Sequence, residues 1–161
     1  MKETGLKPAR LELEITESLM LSDMQKTIDT LHRFKKFGVR ISLDDFGTGY
    51  SSLSYMNDLP LDKVKIDRSF IEDLCEGGKS LALVQGISAI SRELGLTVVV
   101  EGIEEPNQLK VLLDHAHINE IQGYYFSRPV PLKEVCELIN RSTLVNRKML
   151  RKLSHRQLQA A

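Results

Sequence analysis

Two adjacent carboxylates, Asp44 and Asp45, follow a short apolar run in the segment ISLDDFGTGYSSL and precede a glycine-rich turn. Neighbouring side chains of a regular strand point to opposite faces, so both carboxylates can reach one site only if the strand stops there and the backbone turns. Gly47 and Gly49 permit a tight turn. The pair could then bind or bridge two divalent metal ions about 4 Å apart, an arrangement that cleaves phosphodiesters. The alternative is an Asx turn, in which one aspartate caps the next short helix.

Further charged or amide side chains stand at the ends of the other predicted strands. They are Glu14, Glu17, Lys65, Asp67, Glu101, Glu104 and Gln122. Because parallel strands direct their carboxyl ends to a common rim, where ligands bind, we expect these groups to converge with the aspartate pair. Clustered carboxylates repel one another unless a cation neutralises them, and they are natural ligands for hard metals such as Mg²⁺ or Mn²⁺. The pattern therefore predicts a metal-binding rim.

The elements that must position this rim are five βα units in succession. Predicted strands cover RLELEITES, VRISLDD, VKID, TVVVEGIE and NEIQGYYFS, with helical patterns between them. Such alternation predicts an α/β fold with parallel strands and right-handed crossovers, either an open sheet or part of a (β/α) barrel. No GxGxxG or GxxxxGK[ST] segment follows a strand, which argues against a dinucleotide or P-loop site.

Composition excludes several classes of function. The 161 residues carry 22 basic and 22 acidic side chains, and this balance argues against binding a nucleic-acid polymer through bulk charge. No apolar run approaches the roughly 20 residues of a membrane span, and no signal peptide is visible. Cys75 and Cys136 fit neither a metal motif nor a disulfide framework. We therefore expect a cytoplasmic protein with reduced thiols.

Five segments resemble, in order, those of EAL domains, the bacterial phosphodiesterases that linearise cyclic di-GMP. They are LELEITES, DDFGTGYSSL, VKIDRSFI, VVVEGIE and QGYYFSRP, within about residues 9 to 140. The second of these is long and highly specific. The resemblance implies a partial TIM-type (β/α) barrel, a two-metal site for Mg²⁺ or Mn²⁺, and cyclic di-GMP as the ligand.

The resemblance also assigns roles to the rim residues. Glu14 and Asp44 look like ligands of a first metal ion, and Asp44, Asp45 and Glu101 look like ligands of a second. Lys65 resembles the lysine that contacts the attacking water, for which Glu101 is the expected base.

A second group of residues is similar to those that support the site in the family. Glu17 resembles the acid that holds the loop after the aspartate pair, and Ser52 lies in that loop, which is thought to couple metal binding to dimerisation. Asp67, Glu104 and Gln122 look like further site residues.

The large departure from the family is the absence of the Glu-Ala-Leu motif, whose glutamate is a metal ligand, and of an asparagine ligand from the following strand. The chain therefore resembles the last five strands of an eight-stranded barrel. We expect two open edges, each with unpaired backbone groups and one exposed side of a hydrophobic layer. A homodimer through these edges would cover them, and residues 1–10 or 141–161 are the alternative cover.

We expect a partial EAL domain over residues 1–140 and a basic helical extension over residues 141–161, packed on its own domain or, alternatively, binding a partner, a second copy or a membrane surface. Because loss of even outer-shell metal partners weakens a site roughly 10- to 100-fold, we expect impaired phosphodiesterase activity. The alternatives are a non-catalytic nucleotide-binding or dimerisation module, and a piece with no function of its own.

Overall fold

The structure is a computed structural model of the chain, and it describes residues 3–17, 19, 23–47, 53–76 and 78–139. The described residues fall into two compact units, the first of which ends at Phe126 and the second of which begins at Ser127. Within the second unit a helix, α5, covers residues 132–139. Ser52 and the basic segment 141–161 lie outside the described residues, so the helical extension stays a prediction.

The first unit is built on one parallel sheet. Its strands are β1 (Glu12–Thr16), β2 (Arg40–Phe46), β3 (Lys63–Ile66), β4 (Thr97–Val100) and β5 (Glu120–Ile121). The intervening α-helices are α1 (Met24–Lys36), α2 (Leu53–Asp58), α3 (Lys79–Glu93) and α4 (Pro106–His115). The strand order is β1-β2-β3-β4-β5 with every pairing parallel. This sequential order is that of a (β/α) barrel rather than of a doubly wound sheet, in which the order reverses.

One face of the sheet packs against the helices as the hydrophobic core. Strand residues Ile15, Ile41, Leu43, Val64, Ile66, Val98 and Val100 join helix residues Leu31, Val84, Ile87, Leu109 and Leu112 in this core. In β2 and β3 the core members alternate with the polar residues Ser42 and Lys65, as expected for a pleated strand, whereas in β4 the intervening residue is the buried Val99. Full burial of each such side chain stabilises the fold by about 1.5–3 kcal/mol.

The opposite face, here called the inner face, carries charged side chains. Lys63 pairs with Glu12 and Glu120, and Lys65 pairs with Glu14. Among the described residues β1 pairs only with β2 and β5 only with β4, so both edges are open as expected. The ion pairs lie on the inner face, so the exposed hydrophobic layer expected at the two edges stays a prediction.

The last strand is shorter than its sequence pattern predicts. NEIQGYYFS has alternating apolar residues, yet only Glu120–Ile121 pair with β4. A Cβ at Gly123 would overlap the backbone of Ile103, so the chain leaves the ladder there and Tyr124 to Phe126 form a turn. This close approach is specified by a long-range contact that the local pattern does not contain.

Candidate functional site

Lys65 is the centre of the rim formed by the strand ends. Its side chain is only 9% exposed, and its Nζ lies 2.9 Å from Glu14 Oε1, 2.8 Å from Asp44 Oδ1 and 3.0 Å from Glu101 Oε1. These carboxylates come from β1, β2 and the residue after β4. Burial alone would lower the pKa of Lys65, but the hydrogen bonds that it donates to the three carboxylates outweigh burial and raise this pKa. The lysine is therefore held as a cation.

A backbone turn at Asp45 allows two adjacent carboxylates to face the same site. The φ of Asp45, 53°, is in the left-handed region, and the pairing of β2 with β3 shifts register between Leu43 and Phe46. This turn brings Asp45 to the same side as Asp44 and Glu101, so that one carboxylate oxygen of each lies within 4.8 Å of the others. A left-handed conformation costs about 1–2 kcal/mol at a residue other than glycine. The site therefore contains local backbone strain.

The electrostatics of Asp45 reflect this crowding. Its pKa is raised, first by burial and then by the negative charges of Asp44 and Asp67, while Lys65 opposes the shift. Repulsion of this kind is relieved when a cation binds among the carboxylates.

The donor set fits a hard divalent cation. Asp44, Asp45 and Glu101 offer carboxylate oxygens within reach of one ion, and such oxygens are preferred by Mg²⁺, Mn²⁺ and Ca²⁺. These three residues could hold a metal ion. Glu14 is not in this trio, but it joins the same cluster through Lys65.

Glu17 contacts Gly47, the last described residue before the loop that the resemblance assigns it to hold. Its Oε1 accepts a hydrogen bond from the Gly47 N–H at 3.2 Å. Gly47 has a φ of 99°, and a Cβ at this position would overlap the ring of Phe70. Gly47, where the loop begins, therefore lies between Glu17, which follows β1, and the ring of Phe70, which follows β3. Phe70 was missed from the sequence, although it lies within VKIDRSFI.

A cavity of about 210 Å³ opens beside Glu101. Its walls are formed by Asp67, Arg68, Glu101, Gly102, Glu104, Gln122, Gly123 and Tyr124. The structure therefore brings Asp67, Glu104 and Gln122 together next to the carboxylate cluster. Arg68 and Tyr124 were not predicted from the sequence. The available signals were that Arg68 lies in VKIDRSFI and Tyr124 in QGYYFSRP, and that both side chains can bind a nucleotide.

Backbone contacts hold the two walls of this cavity together. The Ile103 N–H donates to the Gln122 carbonyl at 3.2 Å, and the Tyr125 N–H donates to the Ile103 carbonyl at 2.9 Å. Only a glycine at position 123 leaves room for these bonds. On the other wall Asp67 accepts the Ser69 N–H at 3.0 Å.

Known proteins share both the sequence and the fold of this chain. The family model of the EAL domain matches residues 1–129. The cyclic di-GMP phosphodiesterase NbdA of Pseudomonas aeruginosa is 45% identical over 139 residues, which are 86% of this chain and 18% of NbdA. The chain thus spans about a fifth of that relative.

Solved structures share the fold. The PaMucR phosphodiesterase, solved as a complex with cyclic di-GMP, superposes with a TM-score of 0.77 at 40% identity, covering 83% of this chain and 54% of that one. BlrP1 of Klebsiella pneumoniae, in a complex with manganese and cyclic di-GMP, has a TM-score of 0.72 at 33% identity, covering 78% and 32%. The neighbours are EAL domains with TIM-type barrels, which confirms the predicted fold class. In the part of the chain that the structure describes, no helix is long and apolar enough to cross a membrane.

Proposed function

Since this chain belongs to the EAL domain family, we propose that its rim performs metal-dependent hydrolysis of cyclic di-GMP. The observation that carries the proposal is the convergence of Glu14, Asp44 and Glu101 on one lysine, with Asp45 turned into the same cluster. The relatives named for this activity or solved with this nucleotide support the choice of substrate.

Asp44, Asp45 and Glu101 would hold the divalent cation, Mg²⁺ or Mn²⁺, and Glu14 would contribute to a second position beside Asp44. When bound, such a cation supplies positive charge against the negative charge that develops on the phosphodiester and makes water a better nucleophile.

The protein's own groups orient water and move its proton. Lys65 stays charged between three carboxylates, which take up its three N–H donors. It would orient the nucleophilic water or a phosphate oxygen once a bound cation replaces it as the partner of one of these carboxylates. Glu101, 3.0 Å from the same Nζ, is placed to accept the proton at a carboxylate oxygen. The water oxygen bonds to phosphorus, the bond from phosphorus to one ring ester oxygen breaks, and the leaving oxygen takes a proton from solvent.

The cavity beside Glu101 would receive part of the nucleotide. Arg68 offers a guanidinium for a phosphate or a guanine edge, and the half-exposed Tyr124 ring offers a face for base stacking. Gln122 and Glu104 add hydrogen-bonding groups on the same wall.

The 161-residue chain by itself should turn over slowly, since its sequence matches neither the family's Glu-Ala-Leu glutamate nor its asparagine ligand. The test is cyclic di-GMP hydrolysis with Mn²⁺ or Mg²⁺, paired with nucleotide binding in Ca²⁺. Turnover that is lost in Asp44→Asn but retained in the matched surface variant Asp29→Asn supports the proposal. Binding without turnover supports the nucleotide-binding module instead. If the chain shows neither binding nor turnover, it has no activity of its own.

We also propose that the chain forms a homodimer through the open edges of β1 and β5. Among the described residues β1 pairs only with β2 and β5 only with β4, so these two strands are the edges of the sheet. Size-exclusion chromatography with light scattering at micromolar concentration should give twice the mass of 18.2 kDa. A clean monomer would contradict this proposal.

A further inference from the structure

Lys63 joins the two edges of the sheet across its inner face. It is the first residue of β3, its side chain is 13% exposed, and its Nζ lies 3.0 Å from Glu12 Oε1 and 2.8 Å from Glu120 Oε2. Glu12 belongs to β1 and Glu120 to β5, the strands at opposite edges. None of these three residues has a role in the proposed chemistry.

This contact requires a strongly curved sheet. Neighbouring strands lie about 4.8 Å apart, so in a flat sheet β1 and β5 would each be about 9.6 Å from β3, on opposite sides of it. In such a flat sheet the Lys63 ammonium could approach the Glu12 carboxylate on β1 only by moving away from the Glu120 carboxylate on β5, so it could not bind both. The inner side chains must therefore converge, as they do in (β/α) barrels, where alternate strands supply the side chains of one interior layer.

The ionic layer of Lys63 lies directly below the rim. Lys63 and Lys65 are two residues apart on β3, and Glu12 and Glu14 are two residues apart on β1, so each pair projects from the same face. The upper layer joins Glu14 to Glu101 through Lys65, and these carboxylates meet only while the sheet stays curved. The lower layer connects strands that share no backbone hydrogen bond.

We infer that Lys63 is a positioning residue that maintains the curvature of the sheet and thereby the spacing of the rim carboxylates. Without the Lys63 ammonium, Glu12 and Glu120 would no longer be attracted to a shared cation and would repel each other. Glu120 would lose its described ion-pair partner, and Glu12 would keep only Arg40, whose Nε is 3.9 Å away. Two carboxylates that share one site repel each other, and this would separate β1 from β5.

The curvature can be measured without any metal or nucleotide. In a background of Cys75→Ser and Cys136→Ser, spin labels at His32→Cys on α1 and Lys110→Cys on α4, both exposed, report the separation of helices that follow β1 and β4. We expect Lys63→Met to lengthen or broaden the distance distribution by a few ångströms, and Lys63→Arg to restore it. An unchanged distribution in Lys63→Met would overturn the inference.

The second measurement is the Mn²⁺ dissociation constant of the rim, which rests on the proposed function. We expect Lys63→Met to weaken Mn²⁺ binding about tenfold, in the range of outer-shell effects at metal sites. The sign is decisive, because loss of a nearby positive charge would by itself strengthen cation binding. Binding as tight as in the parent, or tighter, would contradict the inference.

Two further variants separate positioning from general loss of stability. Lys35→Met removes a comparable half-buried ion pair, with Asp62, on the helix side of the sheet, and it should lower stability without changing Mn²⁺ affinity. Glu120→Gln removes only the negative charge of the β5 partner of Lys63 and should weaken Mn²⁺ binding less than Lys63→Met does, with the fold retained. If the parent chain binds no Mn²⁺, the proposed function fails, and the spin-label distances still decide the role of Lys63.

Discussion

Single residues at the rim combine chemical function with local cost. Asp45 has a left-handed backbone, and its carboxylate has a raised pKa because of burial and its acidic neighbours. Both features oppose folding, and neither is needed to pack the core. Such strain is typical of functional sites, where the surrounding structure imposes it.

Substitution of Asp45 should separate backbone strain from metal binding. Asp45→Gly removes the left-handed penalty that Asp45→Ala keeps, so the glycine variant should be more stable by about 1 kcal/mol in urea unfolding. Both variants lose a carboxylate and should bind Mn²⁺ more weakly by calorimetry. Equal stability of the two variants would show that the backbone at residue 45 is unstrained.

Gly123 should tolerate no side chain. Because a Cβ would overlap the backbone of Ile103, which cannot rotate away, Gly123→Ala should destabilise the fold by about 2 kcal/mol or more. Gly86→Ala is the matched control, since Gly86 lies in α3 with open space around it, and alanine there should stabilise the helix by up to about 1 kcal/mol. Thermal unfolding of both variants checks the prediction, and a tolerated Gly123→Ala would contradict the packing described.

At the scale of elements, the ends of the strands rather than their middles decide the site. β2 shifts its register against β3 before it ends, and β5 stops after two residues. A short 3₁₀ helix, Arg68–Phe70, begins just after the end of β3, and Asp67 is its N-cap. Asp67 therefore both lines the cavity and starts the segment that brings Phe70 onto Gly47.

The cap predicts a pH dependence. Burial would raise the pKa of Asp67, but its hydrogen bonds with Ser69 outweigh this and lower the pKa below its usual value. Its contribution to stability is therefore present above the unfolded pKa of about 3.9 and is lost as the pH falls through the lower folded pKa. Asp67→Asn retains an oxygen acceptor and does not titrate. Urea midpoints between pH 6 and pH 3 should fall more steeply for the parent than for this variant, and parallel curves would refute the assignment.

At the scale of the whole molecule, curvature matters more than closure for the rim. The described sheet has two open edges, yet Lys63 and Lys65 connect β1 with β5 and with β4 across the inner face. The carboxylates converge in this five-stranded unit because the sheet bends, as in a (β/α) barrel.

A bound cation should stabilise the entire unit. Ligand that binds only the folded state adds about 2.7 kcal/mol at a concentration 100 times its dissociation constant. Mn²⁺ or Mg²⁺ should therefore raise the melting temperature of the parent and of Asp29→Asn in a concentration-dependent way. Asp44→Asn should show little or no increase, because it lacks one of the three converging carboxylates. An equal increase in Asp44→Asn would place metal binding elsewhere.

Local sequence signals were sufficient to predict the order of strands and helices and to identify the charged residues that converge at the rim. The alternation of strand and helix patterns, and the polar residues that end each strand, predicted five parallel strands and the convergence of Glu14, Asp44, Lys65 and Glu101. The specific segment DDFGTGYSSL indicated the family. These properties are short-range, since periodicity and motif spacing lie within a few residues of each other.

Only the tertiary structure decided how the groups meet. The left-handed turn at Asp45, the three carboxylates around Lys65, the ionic inner face and the early end of β5 all depend on contacts between residues distant in the chain. Contacts between distant residues also place Arg68 and Tyr124 in the wall of the cavity, and they bring Lys63 into ion pairs with both edge strands. Sheet curvature and strand tilt arise from the packing of all the strands and helices together, so a linear pattern determines which side chains face inward but not which of them come into contact.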